Sequence, residues 1–257
     1  MKAFILKIAS GYAKDSLRLH SSSATFYIVV SALPLVAILI YTLSYFSPSL
    51  ITELENLLFS ILPKEFHSGL YSIILSIKKK QALALVPFSV ITAIWGSTKG
   101  VGGLCHGIEA VYGRITSERF IPRLIKTAWR TFVFYVIIIT SLFIFALGKL
   151  IYVQDDIIGV LLKLRIILFA LVLTLFFSVL YARLSCTKIK HQLLGGAFAA
   201  LGFMLFTYFY SIYVSYALYS ASIYAEMGTV IFFMLWCYFC VNIILIGAEI
   251  NKIKNRR

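Results

Sequence analysis

Residues 95–113 read Trp-Gly-Ser-Thr-Lys-Gly-Val-Gly-Gly-Leu-Cys-His-Gly-Ile-Glu-Ala-Val-Tyr-Gly. The stretch follows an apolar run and so begins at membrane depth, yet it holds six glycines together with Lys99, His106 and Glu109. Lipid does not tolerate such a segment; a protein interior or a wet cavity does. Gly96, Gly100, Gly103 and Gly107 recur at intervals of four, three and four residues. At about 100° per residue they fall on one face, a small-residue stripe that lets another helix approach closely. Lys99 and His106 are seven apart and share a neighbouring face. An uncompensated Lys near mid-membrane costs about 3 kcal/mol. Lys99 must therefore snorkel to an edge, meet a carboxylate or line a cavity.

Outward from this stretch the whole chain has the same character. Of 257 residues, 61% are hydrophobic and 13% charged, about half the charge of a soluble domain. Five runs close to 20 apolar residues and one shorter, Gly-rich run suffice to cross about 30 Å of hydrocarbon as helices. The predicted fold is all-α: one membrane domain over 1–257 with six transmembrane helices, near 24–46, 81–105, 128–148, 164–182, 193–217 and 228–250. Residues 2–20 mix Lys2, Lys7, Lys14 and Arg18 with apolar side chains, too interrupted for a signal peptide. They predict an amphipathic helix on the membrane face. Residues 47–80 predict short surface helices near 50–62 and 66–77.

Polar residues recur on the spans. In the first, Tyr27, Ser31 and Pro34 share a face beside an expected kink. Such hydroxyls line a polar path or bond a neighbouring helix. Thr207, Ser211 and Ser215 repeat every four residues, and Tyr238, Asn242 and Glu249 share a face of the last span. Asn242 is central and seeks a partner across the bundle, while Glu249 lies one turn from the basic tail and can pair with it. Lys99, His106, Glu109, Tyr27, Ser31, Tyr238, Asn242 and Glu249 are the candidate lining of a polar pathway. Gly96, Gly100, Gly103 and Gly107 are the candidate packing surface.

The net charge of +14 suits anionic headgroups better than nucleic acid, because the basic residues flank spans and form no interleaved patch. With six spans, sixteen of the 24 Lys and Arg fall on the side of the termini and seven on the other, Lys99 aside. The positive-inside rule then makes both termini cytoplasmic. Cys237 and Cys240 form a C-x-x-C within an apolar helix, without companion ligands, and read as packed apolar cysteines. His20, His67, His106 and His191 are scattered singly. No catalytic constellation, metal set or cofactor motif is expected; the expected partners are membrane lipids, with envelope proteins or a second copy of the chain as further options.

Several segments resemble the YihY/BrkB family of bacterial inner-membrane proteins. Asp15, Ala24, Phe26, Tyr27, Ser31 and Pro34 resemble its first-span signature. Trp95, Ser97, Gly100, Leu104 and Tyr112 resemble its second, followed by Glu118-Arg119-Phe120 and Arg123. Tyr224, Gly228, Trp236, Tyr238 and Gly247-Ala248-Glu249-Ile250-Asn251 resemble its last. Ala225 departs from the family's frequent Gly. The resemblance implies a six-span inner-membrane protein. It implies little about activity, because the family has carried both a virulence-factor and a ribonuclease label. Chemistry speaks against the second: a nuclease needs clustered metal ligands or a paired acid and base. The reading that follows is transport or translocation of a lipid or other anionic amphiphile, or else a non-transporting scaffold for envelope enzymes.

Overall fold

The structure is a computed structural model that describes residues 2–46, 71, 75, 86–114, 157–219 and 225–255. Helices account for nearly all of it: α1 (Lys2–Lys14), α2 (Leu17–Phe46), α3 (Val86–Val111), α4 (Ile157–Ser185), α5 (Leu193–Tyr219) and α6 (Ala225–Asn255), with a short 3₁₀ turn at Ile189–His191 between α4 and α5. Among the described residues there is no strand. Three stretches are long and apolar enough to cross a membrane: Ile166–Ser185, Leu193–Val214 and Val230–Asn255. The expected span at 128–148 and the surface helices at 50–62 and 66–77 lie outside the described residues.

Local chemistry corrects several expected boundaries. Residues 2–20 are not one helix. Ser16 takes a left-handed φ of 51°, its N–H bonds Ala13 O at 3.3 Å, and the chain turns from α1 into α2. α3 runs past the expected end at 105, because Ile108 and Val111 continue its buried face. It stops at Gly113, whose φ of 67° is the left-handed conformation that costs glycine little. Gly113 N–H bonds Ala110 O at 3.0 Å and Arg114 N–H bonds Glu109 O at 2.8 Å, the paired bonds of a Schellman end. α4 ends similarly, with Cys186 at φ 52° and Thr187 N–H on Ala182 O at 3.1 Å. α2 continues through Pro34.

The residues form two compact units: Met1–Ala24, Val101–Phe206 and Phe239–Arg257 in the first, Thr25–Gly100 and Thr207–Tyr238 in the second. In the second, Gly96 rests on Ser31 and Tyr27, and Gly100 on Ile28. A Cβ at Gly96 would come within 2.9 Å of Ser31 Cβ, so only glycine permits this approach of α3 to α2. Tyr27 meets Trp95 edge-on at 5.3 Å. Trp236 Nε1–H donates to Thr207 Oγ1 at 3.3 Å. Phe88, Ile91 and Ile94 are exposed.

In the first unit, backbone meets backbone. A Cβ at Gly247 would lie 2.7 Å from Gly195 O and 2.7 Å from Tyr181 Oη. A Cβ at Gly196 would lie 2.8 Å from Thr174 O. The two adjacent glycines open α5 toward different neighbours, α6 on one side and α4 on the other. Gly103 packs on Ala24 and Gly107 on Leu245 and His20. Cys240 is 6% exposed and is packed in this unit; Cys237, at 5%, is packed in the second.

Candidate functional site

At one end of the first unit, the C-terminal ends of α3, α4 and α6 and the N-terminal end of α5 meet around Gln192. This side chain is fully buried. Its Nε2 donates to Ser185 Oγ at 3.2 Å and to Thr187 Oγ1 at 2.7 Å. Its Oε1 accepts from Tyr112 Oη at 2.7 Å. Asn251, also fully buried, closes the other side: Oδ1 accepts from Gly195 N–H at 2.7 Å, and Nδ2 donates to Gln192 O at 3.0 Å. The Gly195 N–H is one of the orphan donors of a helix start, so Asn251 acts as a cap supplied from another helix. Tyr181 Oη donates to Ile244 O at 2.6 Å, tying α4 to α6.

A charged cluster lies beside this network. Lys252 Nζ is 2.5 Å from Asp15 Oδ2 and 3.2 Å from Glu249 Oε2. Glu249 is 2% exposed and lies against Gly11 of α1, where a Cβ would come within 2.6 Å of its Cδ. Two turns earlier on α6, Tyr12 Oη donates to Asn242 Oδ1. α1 is thus held on α6 by Gly11, Tyr12 and Asp15 in succession. Tyr112 joins the two networks: burial pushes its phenol well above the usual range, the Asn251 hydrogen bond opposes this, and the Glu249 carboxylate nearby adds to the rise.

On α3, His106 Nδ1 lies 3.1 Å from Glu109 Oε2, one turn on. Burial first, and the charge of His106 second, lower the pKa of His20 from 6.5. Gly107 packs against the Cβ of His20, so α2 and α3 approach closely at this point.

The other candidates stand elsewhere. Lys99 is exposed, and Tyr27 and Tyr238 are half-buried, all in the second unit. Ser31 is buried, with its hydroxyl on its own helix at Ile28 O, 2.9 Å away. Of the predicted pathway, the first unit gathers His106, Glu109, Asn242 and Glu249. It adds residues that pattern alone did not mark as site residues: Tyr12, Asp15, Tyr112, Tyr181, Gln192, Asn251 and Lys252. Asp15, Tyr112, Gly247, Glu249 and Asn251 carried a signal, since each stands in a stretch resembling the family signatures. No group of three His, Cys, Asp or Glu placed to hold a metal occurs among the described residues.

The sequence profile of the family described as Virulence factor BrkB matches residues 8–257. This chain belongs to the BrkB family. A relative from Bacillus subtilis (strain 168), named "Putative ribonuclease-like protein YfkH", is 23% identical over 266 residues, covering 99% of this chain and 96% of the relative. No solved structure matches. The BrkB match and the apolar helices together make this a membrane protein.

Proposed function

We propose that this BrkB-family chain is a six-span protein of the bacterial inner membrane, with both termini cytoplasmic, that moves a lipid or other anionic amphiphile across the bilayer. The observation that carries the proposal is Glu249: a carboxylate buried within a membrane-length helix and held by α1 through Gly11 and by Lys252. Ionisable groups at such positions are expensive and mark pathways or coupling sites. α1 is amphipathic and polar-clamped, so a change at Glu249 is transmitted to an interfacial helix.

The experiment is reconstitution in vesicles containing a fluorescent anionic phospholipid, with transfer between leaflets read by chemical quenching from outside. Protein-bearing vesicles should equilibrate the probe at least tenfold faster than empty ones, and Glu249→Gln should remove most of the gain. Equal rates with and without protein refute the proposal.

The scaffold reading is favoured by a different observation: each side-chain polar atom of Gln192 and Asn251 is engaged within the protein, as in a lock that holds shape. On that reading Glu249→Gln leaves function intact while replacement of the loops abolishes it. The name of the Bacillus relative concerns that protein. For this chain His106, paired with Glu109, supplies the test: RNA cleavage by highly purified protein, lost in His106→Gln, would establish a nuclease.

A further inference from the structure

The polar end of the first unit presents an outer surface that neither network uses. Arg18, Arg114, Arg183, Lys188, Lys190 and Lys254 are all exposed. They stand at the start of α2, at the ends of α3, α4 and α6, and on the turn before α5. Among the described residues none of them forms an ion pair. The described carboxylates of this unit, Asp15, Glu109 and Glu249, are engaged inward by Lys252 and His106. Among the described residues, the charged side chains of this outer surface are therefore cationic.

The turn at its centre is built rigidly. Cys186 carries the left-handed residue, His191 N–H bonds Lys188 O at 3.0 Å, and Gln192 N–H bonds Ile189 O at 2.8 Å. Buried Gln192 ties the turn to Ser185 and Thr187. Lys188 and Lys190 are thus mounted on fixed backbone, which lowers the ordering cost of binding. Ile189 between them is 46% exposed, and Leu193 and Leu194 beyond them are 41% and 48% exposed. Leu19, beside Arg18, is 70% exposed.

We infer that the Arg183–Leu194 turn and the helix ends around it are a docking surface for the phosphate headgroups of anionic phospholipids. Cations alternating with aliphatic side chains match the boundary where phosphates give way to acyl chains. RNA would be matched by cations alternating with aromatic rings on which bases stack, and residues 183–194 contain no Phe, Tyr or Trp. The inference rests on the inner-membrane placement proposed above but not on translocation. A protein that binds anionic lipid here and moves none would keep this inference and lose that proposal.

The full chain in a neutral detergent is titrated with phosphatidylglycerol or phosphatidylcholine, and binding is read by native mass spectrometry. Phosphatidylglycerol should bind at least tenfold more tightly. Lys188→Gln/Lys190→Gln should weaken it about 25-fold, at about fivefold per charge, with Arg183→Gln as a second, single-site variant. Equal binding of the two lipids, or unchanged affinity in both turn variants, overturns the inference. So does a single-stranded RNA oligonucleotide that binds the same turn more tightly than phosphatidylglycerol.

Discussion

Gln192→Met keeps the volume of the buried side chain and removes its polar head. Three partners lose it: Tyr112 Oη, Ser185 Oγ and Thr187 Oγ1. Ser185 and Thr187 retain their mutual hydrogen bond at 2.7 Å, so they are not orphaned. Tyr112 loses an acceptor, and it sits in a site where burial already disfavours its ionised form. A buried polar group left without its partner costs about 1–3 kcal/mol, and each lost neutral bond about 1 kcal/mol net. The total comes to about 3 kcal/mol. For a chain of this size each kcal/mol moves the melting temperature about 2–4 °C, so Gln192→Met should melt about 6–12 °C lower in detergent. The assay is the intrinsic fluorescence melt beside Lys190→Gln, which alters the same turn on its exposed side and should stay within about 1 °C on the grounds that exposed substitutions are near neutral. A Gln192→Met melt within 2 °C of the parent would refute the assignment of Gln192 as the pin of the four helix ends.

Other expectations follow from the close approaches, the clamp and His20. Gly195→Ala sets a methyl against backbone of α6 and should sharply lower the yield of folded protein. Gly113→Ala meets nothing within 4 Å and should cost only the strain of its left-handed φ, about 1 kcal/mol; equal losses at the two glycines would contradict the packing. A double-mutant cycle of Asp15→Asn with Lys252→Gln should return a coupling of about 1 kcal/mol or more, since both groups are largely buried, whereas additive effects would mean that α1 is not held there. The lowered pKa of His20 means that the unfolded chain takes up the proton more readily. Stability should therefore be complete above pH 6.5 and fall as the pH drops below it. His20→Gln should flatten that acid limb of a melting-temperature profile, and an unchanged limb would assign it to other groups.

Much of the scaffold was visible in the chain itself. The Gly96–Gly107 stripe could be found by spacing because helical contact repeats every three or four residues, and its glycines do meet neighbouring helices within their own units. Hydropathy located α4, α5 and α6, because lipid-facing helices need apolar surface over a fixed length. Boundaries were harder. Glu109 and His106 look like loop residues to a hydropathy scale, yet they pair within the last turn of α3, and Gly113 supplies the actual stop. The site was the least visible part. Gln192 between Lys190 and Leu193 reads as a solvated connection, and only folding shows it turned inward to three helices. Asp15 and Lys252 are 237 positions apart, and no local pattern announces such a pair. Gly107 lets the Cβ of His20 on α2 come close to α3, another approach between distant positions.

The clamp of α1 on α6 also sets an order of events during synthesis. Tyr12 and Asp15 are synthesised 230 and 237 positions before their partners Asn242 and Lys252. At about 5–20 residues per second, the N-terminal helix exists for roughly 12–50 s before the ribosome delivers the segment that receives it. Throughout that interval Gly11 and Tyr12 have no α6 to face. A nascent chain halted before Asn242 should therefore leave its first helix open to protease, and extension past Lys252 should close it.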